Sequence, residues 1–476
     1  MLIWFLFVWA VPARAAPFVL VDGKPLEFDV PPAIERGRVL VPARAISQAL
    51  GALLEWDGAT RTVTITREHV TVRIAIGARA AYRDGVPVAL DVPARIVNSR
   101  ALVPLRFVSE SLGASVFWDG QTATVLTGTP EVNGVPEERE LYPVRVDGAL
   151  GYIDGTGKIA IKPQFLNGYA FSEGLARVWI GRKQGYIDKA GRVVIGPQFD
   201  DAQDFSEGLA AVQLSSGGKW GYIDRTGRLV ISPQFDWAGP FREGLARVHV
   251  GTGGEGGYIQ KWGYIDRSGK TVIPAQFEYA GDFSEGLALV GLTHPDGHYR
   301  CGYIDTTGRF VIQPEFELAE DFSGGFAVVG FGRSKLAPMV CQQWGYIDGT
   351  GKVVIGSGFK WAKPFREGLA AVLVASPGNP SGKWVYIDQT GRVVIDRDDI
   401  AAPGDFSEGL APVRVGRGSG DLWGYIDKSG NMVIGPQFES AGEFRSGLAE
   451  VGVDFMHGGR WGYIDNTGKY VWYPSK

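Results

Sequence analysis

The sequence predicts a multidomain chain: a small duplicated α+β domain followed by an all-β array of nine three-stranded meanders. Three observations carry this. Gly-Tyr-Ile-Asp begins at Gly151, Gly185, Gly221, Gly263, Gly302, Gly345, Gly424 and Gly462, with a variant at Val385, and successive Tyr residues lie 34 to 43 residues apart. A period of that size marks one supersecondary unit stacked many times. Before the array, two stretches match at an offset of 62 residues. The composition, with 68 Gly and 12 % aromatic residues, suits short strands and tight turns.

The chain opens on an apolar run, Leu2 to Val11, followed by Ala13-Arg14-Ala15. Small residues at alternate positions after such a run suit signal-peptidase cleavage, so residues 1–16 are read as a signal peptide. No Lys or Arg precedes the run, and the alternative is an uncleaved anchor, although the run is short for a permanent span. The expectation is a secreted or cell-surface protein with no transmembrane span in its mature chain. Net charge is −4, with no basic stripe of the kind that nucleic acid demands. Cys301 and Cys341 are the only cysteines, too few for a disulfide scaffold. Cys301 stands where most repeats carry Trp and is expected in the core, either as a buried thiol or bridged to Cys341.

Residues 17–128 form the first domain. Val21-Asp22-Gly23 answers Arg83-Asp84-Gly85, and Val39 to Arg44 answers Ala101 to Arg106. Leu50-Gly51-Ala52 answers Leu112-Gly113-Ala114, and Trp56-Asp57-Gly58 answers Trp118-Asp119-Gly120. The Asp-Gly pairs suit turns needing positive φ. Pro42 and Pro104 sit at helix starts, Ala45, Ile46, Ala49 and Leu50 make an apolar stripe at helical spacing, and Gly51 and Gly113 cap the ends. A hairpin follows each helix. Each half is therefore strand pairs on one short helix.

These motifs resemble the copper amine oxidase N-terminal-like, or stalk, domain over roughly residues 18–127. The resemblance implies an accessory module for attachment or interaction at the cell envelope. It does not imply copper chemistry: copper favours imidazole ligands, and His69 is the only His in the segment. Residues 129–141, with Pro130, Gly134, Pro136 and the charged Glu137 to Glu140, read as a linker.

The second domain spans 142–476. One clear copy runs Lys219-Trp220-Gly221-Tyr222-Ile223-Asp224, Arg225-Thr226-Gly227, Arg228-Leu229-Val230-Ile231, Pro233-Gln234-Phe235, then Phe241-Arg242-Glu243-Gly244-Leu245-Ala246-Arg247-Val248. It reads as three strands, Gly-Leu-Ala-x-Val, Trp-Gly-Tyr-Ile-Asp and Arg-Leu-Val-Ile. Pro233 donates no hydrogen bond, so Pro-Gln-Phe is expected to leave the ladder and lead to the next unit. These copies resemble the WG-repeat family, which implies a β-rich array common in bacterial and often exported proteins. The array is either a propeller-like ring or an open solenoid. Nine units exceed the four to eight blades usual in propellers, which favours an open or loosely closed superhelix.

The recurring Asp of Tyr-Ile-Asp and the recurring Glu of Ser-Glu-Gly are expected to serve turns. Trp237, Tyr279 and Trp361 hold a position that the scaffold leaves variable, and exposed rings there could stack on sugar or peptide. They are the candidate ligand-binding residues, with packing as the alternative. His294-Pro-Asp-Gly-His298 has too few ligands for a metal site on its own. Neither a cofactor nor a catalytic residue is expected, because no phosphate loop, serine elbow or His-Glu-x-x-His occurs. The leading expectation is an exported, non-enzymatic envelope protein that binds a cell-wall component, an envelope protein or a glycan. Its rivals are an envelope polysaccharide- or peptidoglycan-acting enzyme, with its site in the insertions at 291–300 or 330–343, and a structural spacer.

Overall fold

The computed structural model describes residues 16–127, 139–254, 257–333, 341–376, 379–416, 420–455 and 458–475. The expected signal peptide up to residue 15, residue 128 and residues 129–138 of the expected linker lie outside the described residues. The chain divides into two compact units, taken here in turn.

In the N-terminal unit β3 (Ala33–Glu35), β4 (Arg38–Pro42), α1 (Ala43–Ala49) and β5 (Leu53–Asp57) each begin 62 residues before β10 (Arg95–Val97), β11 (Arg100–Pro104), α2 (Leu105–Ser111) and β12 (Ser115–Trp118). β4 and β11 pair antiparallel with Val41 opposite Val103. Pro42 and Pro104 are the caps preceding the helices, one residue earlier than the first helical position. Gly51 and Gly113 follow the helices at φ +67° and +87°, as C-terminal glycines should. Asp22-Gly23 and Asp84-Gly85 are positive-φ turns. β1 (Phe18–Val21) pairs in parallel with β13 (Thr122–Leu126). The equivalent meeting of β6 (Thr62–Arg67) with β8 (Ala80–Arg83) is interrupted by β7 (Val70–Ala75), which pairs with both. Val72 and Ile74 of this strand enter the core beside Ile46, Val63, Val103 and Val108.

The array comprises, among the described residues, one three-stranded sheet and eight four-stranded sheets. A representative sheet holds β21 (Asp201–Ala202), β22 (Leu209–Gln213), β23 (Trp220–Asp224) and β24 (Leu229–Phe235). Two expectations are corrected here. The units carry a short additional first strand, so most are not simple three-stranded meanders. Pro-Gln-Phe also stays in the ladder, with Phe235 opposite Trp220. The ladder tolerates Pro233 because β24 is the edge strand and the register shifts between Trp220 and Tyr222. That irregularity explains the recurring Gly of the repeat. A Cβ on Gly221 would lie 2.5 Å from the Ile231 carbonyl oxygen and 2.8 Å from Pro233 N. In the Val385 copy the last strand is only Val393–Asp396 and no Pro-x-Phe follows it, so the side chain is accommodated.

Each sheet packs on the next. Leu209, Tyr222, Ile231 and Phe235 form one cluster with Ala238, Phe241, Val248 and Ile265 of the following sheet. Polar bonds repeat across these seams. The Tyr222 hydroxyl donates to the Gly239 carbonyl at 2.7 Å, Tyr264 to Gly281 at 2.8 Å and Tyr303 to Glu320 at 2.7 Å. Ser206 Oγ donates to the Phe241 carbonyl, and Ser284 to Phe322. The recurring Asp caps its own turn: Asp224 Oδ1 accepts from Thr226 N, Thr226 Oγ1 and Arg228 N.

The last sheet packs against the first. Leu448 and Tyr463 share a cluster with Tyr142, Val144 and Ile153. The Tyr142 hydroxyl donates to the Ser446 carbonyl at 2.6 Å, and Tyr463 to that of Pro143 at 3.1 Å. The array therefore closes on itself and is not an open superhelix. Blade counts typical of other propellers are a weak guide, because the angle between neighbours is set by side-chain packing at each seam. Among the described residues no helix is long and apolar enough to cross a membrane.

Candidate functional site

The three aromatic residues singled out by sequence lie on three different sheets. Trp237 opens the strand Trp237–Arg242 and is half-buried. Its ring centroid is 5.3 Å from that of Trp262, and the Arg247 guanidinium sits over both rings at 5.2 and 5.5 Å. His249 stacks on Trp262 at 4.5 Å, and burial lowers its pKa against the opposing pull of Asp236. Trp237 is thus largely engaged within the protein. Trp361 is 43 % exposed and rests on Trp344, 4.9 Å between centroids. Tyr279 is 42 % exposed and lines a cavity.

That cavity, about 710 Å³, crosses four consecutive sheets. Its wall includes Tyr279, Asp282, Glu320, Asp321, Arg242 and Arg366. The local sequence explains the placement. After each Phe-x-x-Ala the chain turns through two variable residues before a buried Phe, and these are Gly281-Asp282, Glu320-Asp321 and Lys363-Pro364 in three successive copies. The buried Phe283, Phe322 and Phe365 hold these segments down. Asp282, Glu320 and Asp321 are left to face the same space.

The electrostatics are mixed. Asp282 lies 2.8 Å from Arg247 Nε, and Arg247 also donates to the Ala280 carbonyl. Burial nevertheless raises the Asp282 pKa above the ordinary carboxylate value, outweighing the Arg247 charge. Asp321 is open to solvent on one side, yet the protein packed around it, and then the Asp282 charge, raise its pKa. Glu320 is raised by burial, with Asp321 and Asp405 adding to the effect. Such a wall can hold a polar ligand by hydrogen bonds and opposite charge, with Tyr279 offering a ring. Sequence reasoning identified Tyr279 but missed Arg242, Asp282, Glu320, Asp321 and Arg366. For the three carboxylates the signal was the loss of repeat identity at the two positions after Ala, and for Arg242 and Arg366 the replacement of Ser by Arg before Glu-Gly.

The recurring Glu proves to act between sheets. The Glu173 carboxylate accepts from Glu207 N at 2.6 Å and Gly208 N at 2.9 Å. Glu207, Glu243, Glu285, Glu367 and Glu408 do the same to the equivalent turn of the next sheet, which is Gly324-Gly325 after Glu285 and Ser446-Gly447 after Glu408, by one or both N–H groups.

The 291–300 insertion is a hairpin. Asp296 pairs with Arg300 at 2.7 Å and lies 3.5 Å from His294 Nδ1. No group of three potential metal ligands gathers among the described residues. In the other insertion, residues 334–340 lie outside the described residues, as does the Cys341 side chain. Cys301 is buried opposite Phe316, in the place of Trp, as expected.

Residues 20–127 match the copper amine oxidase N-terminal domain. The WG containing repeat matches eight times, at 151–183, 185–219, 220–251, 262–292, 302–332, 344–375, 384–417 and 423–454. No curated protein matches the chain. Among solved structures, the uncharacterized protein lmo1340 from Listeria monocytogenes EGD-e is similar at 11 % identity and TM-score 0.32, covering 71 % of this chain and 96 % of that one. Apo AztD from Citrobacter koseri is similar at 10 % identity and TM-score 0.31, covering 70 % and 93 %. The β-propeller domain of the Trilobed protease from Pyrococcus furiosus is similar at 7 % identity and TM-score 0.34, covering 71 % and 99 %. Matched by the repeat model over more than half of its length, the chain belongs to the WG containing repeat family.

Proposed function

We propose that this is an exported, cell-envelope-associated, non-enzymatic binding protein. In this reading the N-terminal unit is a duplicated stalk-like module that docks the protein to the envelope. The array is a ring of nine repeat units that presents a binding face to a protein or glycan. The observation that carries the reading is the 710 Å³ cavity, where an exposed Tyr279 stands beside carboxylates and two guanidinium groups contributed by successive repeats. Binding sites commonly join an aromatic surface to a few polar groups that fix orientation. The test is co-sedimentation of the mature chain with isolated cell walls, for wild type and for Tyr279→Ala/Trp361→Ala. Retention that falls at least tenfold in the variant supports the reading. Absence of retention in the wild type sinks the envelope role.

A second reading has an observation of its own. Asp282, Glu320 and Asp321 line one cavity with raised pKa values, as groups that exchange protons in catalysis often do. It implies hydrolysis of an envelope polysaccharide. Release of reducing ends from isolated walls, abolished by Asp321→Asn, would favour it over binding alone.

A further inference from the structure

We propose that the backbone N–H groups of Glu367 and Gly368 form a vacant carboxylate receptor at the edge of the cavity, filled by a carboxylate of a peptide that also carries a cationic group. The inference rests on the binding-face reading above and names the chemistry of its ligand.

In six such turns, four Glu-Gly, one Gly-Gly and one Ser-Gly, both N–H groups or that of the second Gly alone donate to the Glu carboxylate of the preceding sheet, over 2.6–3.0 Å. The chain thus shows six times how this turn holds a glutamate side chain. Adjacent N–H groups in a positive-φ turn form a concavity suited to anions. Glu367 and Gly368 adopt the same conformation, at φ +50° and +85°. The residue that should supply their carboxylate is Gly324, which has no side chain. Among the described residues nothing accepts from either N–H.

The surroundings favour an incoming anion at this turn. Arg366, immediately before it, lines the cavity, and so does Ser323, immediately before Gly324. Arg366 Nη1 donates to Ser323 Oγ at 3.2 Å, which holds the guanidinium across the seam. Arg–carboxylate pairing adds charge to the two backbone donors. The turn Glu173–Gly174 also follows a unit without the Glu, but its preceding residue, Ser172, is not part of the cavity wall as Arg366 is. Farther along the wall stand Asp282, Glu320 and Asp321, which repel a purely acidic ligand and attract an ammonium. A peptide with one carboxylate and one ammonium a short distance apart satisfies both ends.

Gly324 also provides the test. Its φ of +65° is close to the +56° of Glu285, and a Cβ there would meet nothing nearer than Phe365 Cβ at 3.5 Å. Gly324→Glu should therefore fold and refill the receptor from within. The probes are acetyl-Glu-Ala-Lys-amide, its Gln-Ala-Lys and its Glu-Ala-Leu counterparts, titrated into the full mature chain by calorimetry. The expected result is binding of the first, at least tenfold weaker binding of the other two, and at least tenfold loss with Gly324→Glu together with a higher Tm. Equal binding of the Glu and Gln probes overturns the inference, and does so on wild-type protein, whatever the variant's folding. Gly324→Glu that binds as wild type also overturns it. Wall retention that depends on Tyr279 and Trp361 but not on Gly324→Glu would leave the binding-face reading intact while removing this receptor. Probe binding blocked by Gly324→Glu, without wall retention, would do the reverse.

Discussion

The Tyr463 hydroxyl donates to the Pro143 carbonyl at 3.1 Å, joining the last repeat to the first across 320 residues of sequence. Elsewhere the same Tyr reaches forward 17 or 18 residues into the next sheet, as Tyr425 does to Gly442 and Tyr386 to Gly404. For Tyr463 the first sheet takes the place of the next one. Tyr142 completes the seam, with its ring 5.5 Å from that of Tyr463.

This closure predicts long-range coupling. Tyr142→Ala should destabilise the array by about 3 kcal/mol, as aromatic truncation in a core does. The more telling readout is hydrogen exchange. Protection should fall in Leu448–Val453 and Arg460–Asp465, which an open array would leave untouched by a change at residue 142. Tyr142→Phe should cost only about 1 kcal/mol, the worth of one hydrogen bond.

The ladder irregularity at the repeated Gly predicts an asymmetry between copies. Gly221→Val places side-chain atoms against the Ile231 carbonyl and Pro233, and should destabilise by about 3 kcal/mol or prevent folding. The reciprocal change, Val385→Gly, meets no such clash. It should cost about 2 kcal/mol through lost burial and added backbone freedom. Urea unfolding of both variants checks this. Equal tolerance of Gly221→Val and of a Val at other strand positions would remove the explanation.

The sequence disclosed those features whose causes lie within a few residues. Asp224 caps a turn that ends in Gly227, and both are legible side by side. Gly51 after an apolar stripe marks a helix end in the same way. Features joining residues far apart were not legible. The staple from Glu173 to Gly208 spans a whole repeat, and a pattern of Ser-Glu-Gly reads equally well as a local turn. Pro233 suggests a strand end from sequence alone, because a proline's effect on a ladder depends on whether its strand is central or at the edge. β7 was overlooked since Val70 to Ala75 belongs to neither matched half. The cavity was hidden for a related reason. Asp282, Glu320 and Arg366 occupy positions where the repeat is not repetitive, and only folding shows that three variable segments share one space.

Acid should loosen the array through its carboxylates. Hydrogen bonds from Thr226 and Ser268 hold Asp224 and Asp266 below the usual carboxylate range, and Asp305, Asp348 and Asp388 are alike. Burial alone would raise Glu367, but bonds from Lys428, Gly409 and Glu408 outweigh it and lower its pKa. A depressed folded-state pKa contributes stability above the unfolded value and loses it as pH falls through the folded one. The contribution of these depressed carboxylates should therefore be flat near neutral pH and decline below about 4, while the raised Asp282, Glu320 and Asp321 act in the opposite sense as pH falls from neutral. Glu367→Gln should remove part of that decline and lower stability at pH 7 by about 1 kcal/mol, since the site is partly solvated. Thermal melts from pH 7 to pH 3 on both proteins provide the check.

Alkali should act more abruptly, because the repeat buries one tyrosine per seam. Burial pushes Tyr142 up to about 12, and Tyr152, Tyr186, Tyr222, Tyr264, Tyr303, Tyr346, Tyr386 and Tyr425 higher still. In the unfolded chain each ionises near 10. A raised folded-state pKa leaves stability fully present below the unfolded value and removes it as pH climbs toward the folded one. Each buried Tyr thus favours unfolding above pH 10 by up to about 1.4 kcal/mol per pH unit, and several act together. The expected outcome is a cooperative unfolding between pH 10 and 12, with tyrosinate absorbance and loss of β-sheet circular dichroism rising at one midpoint. Tyrosinate formation spread over several units of pH, with the sheet signal unchanged, would mean that the seam tyrosines are accessible and that their hydroxyl bonds do not hold neighbouring sheets together.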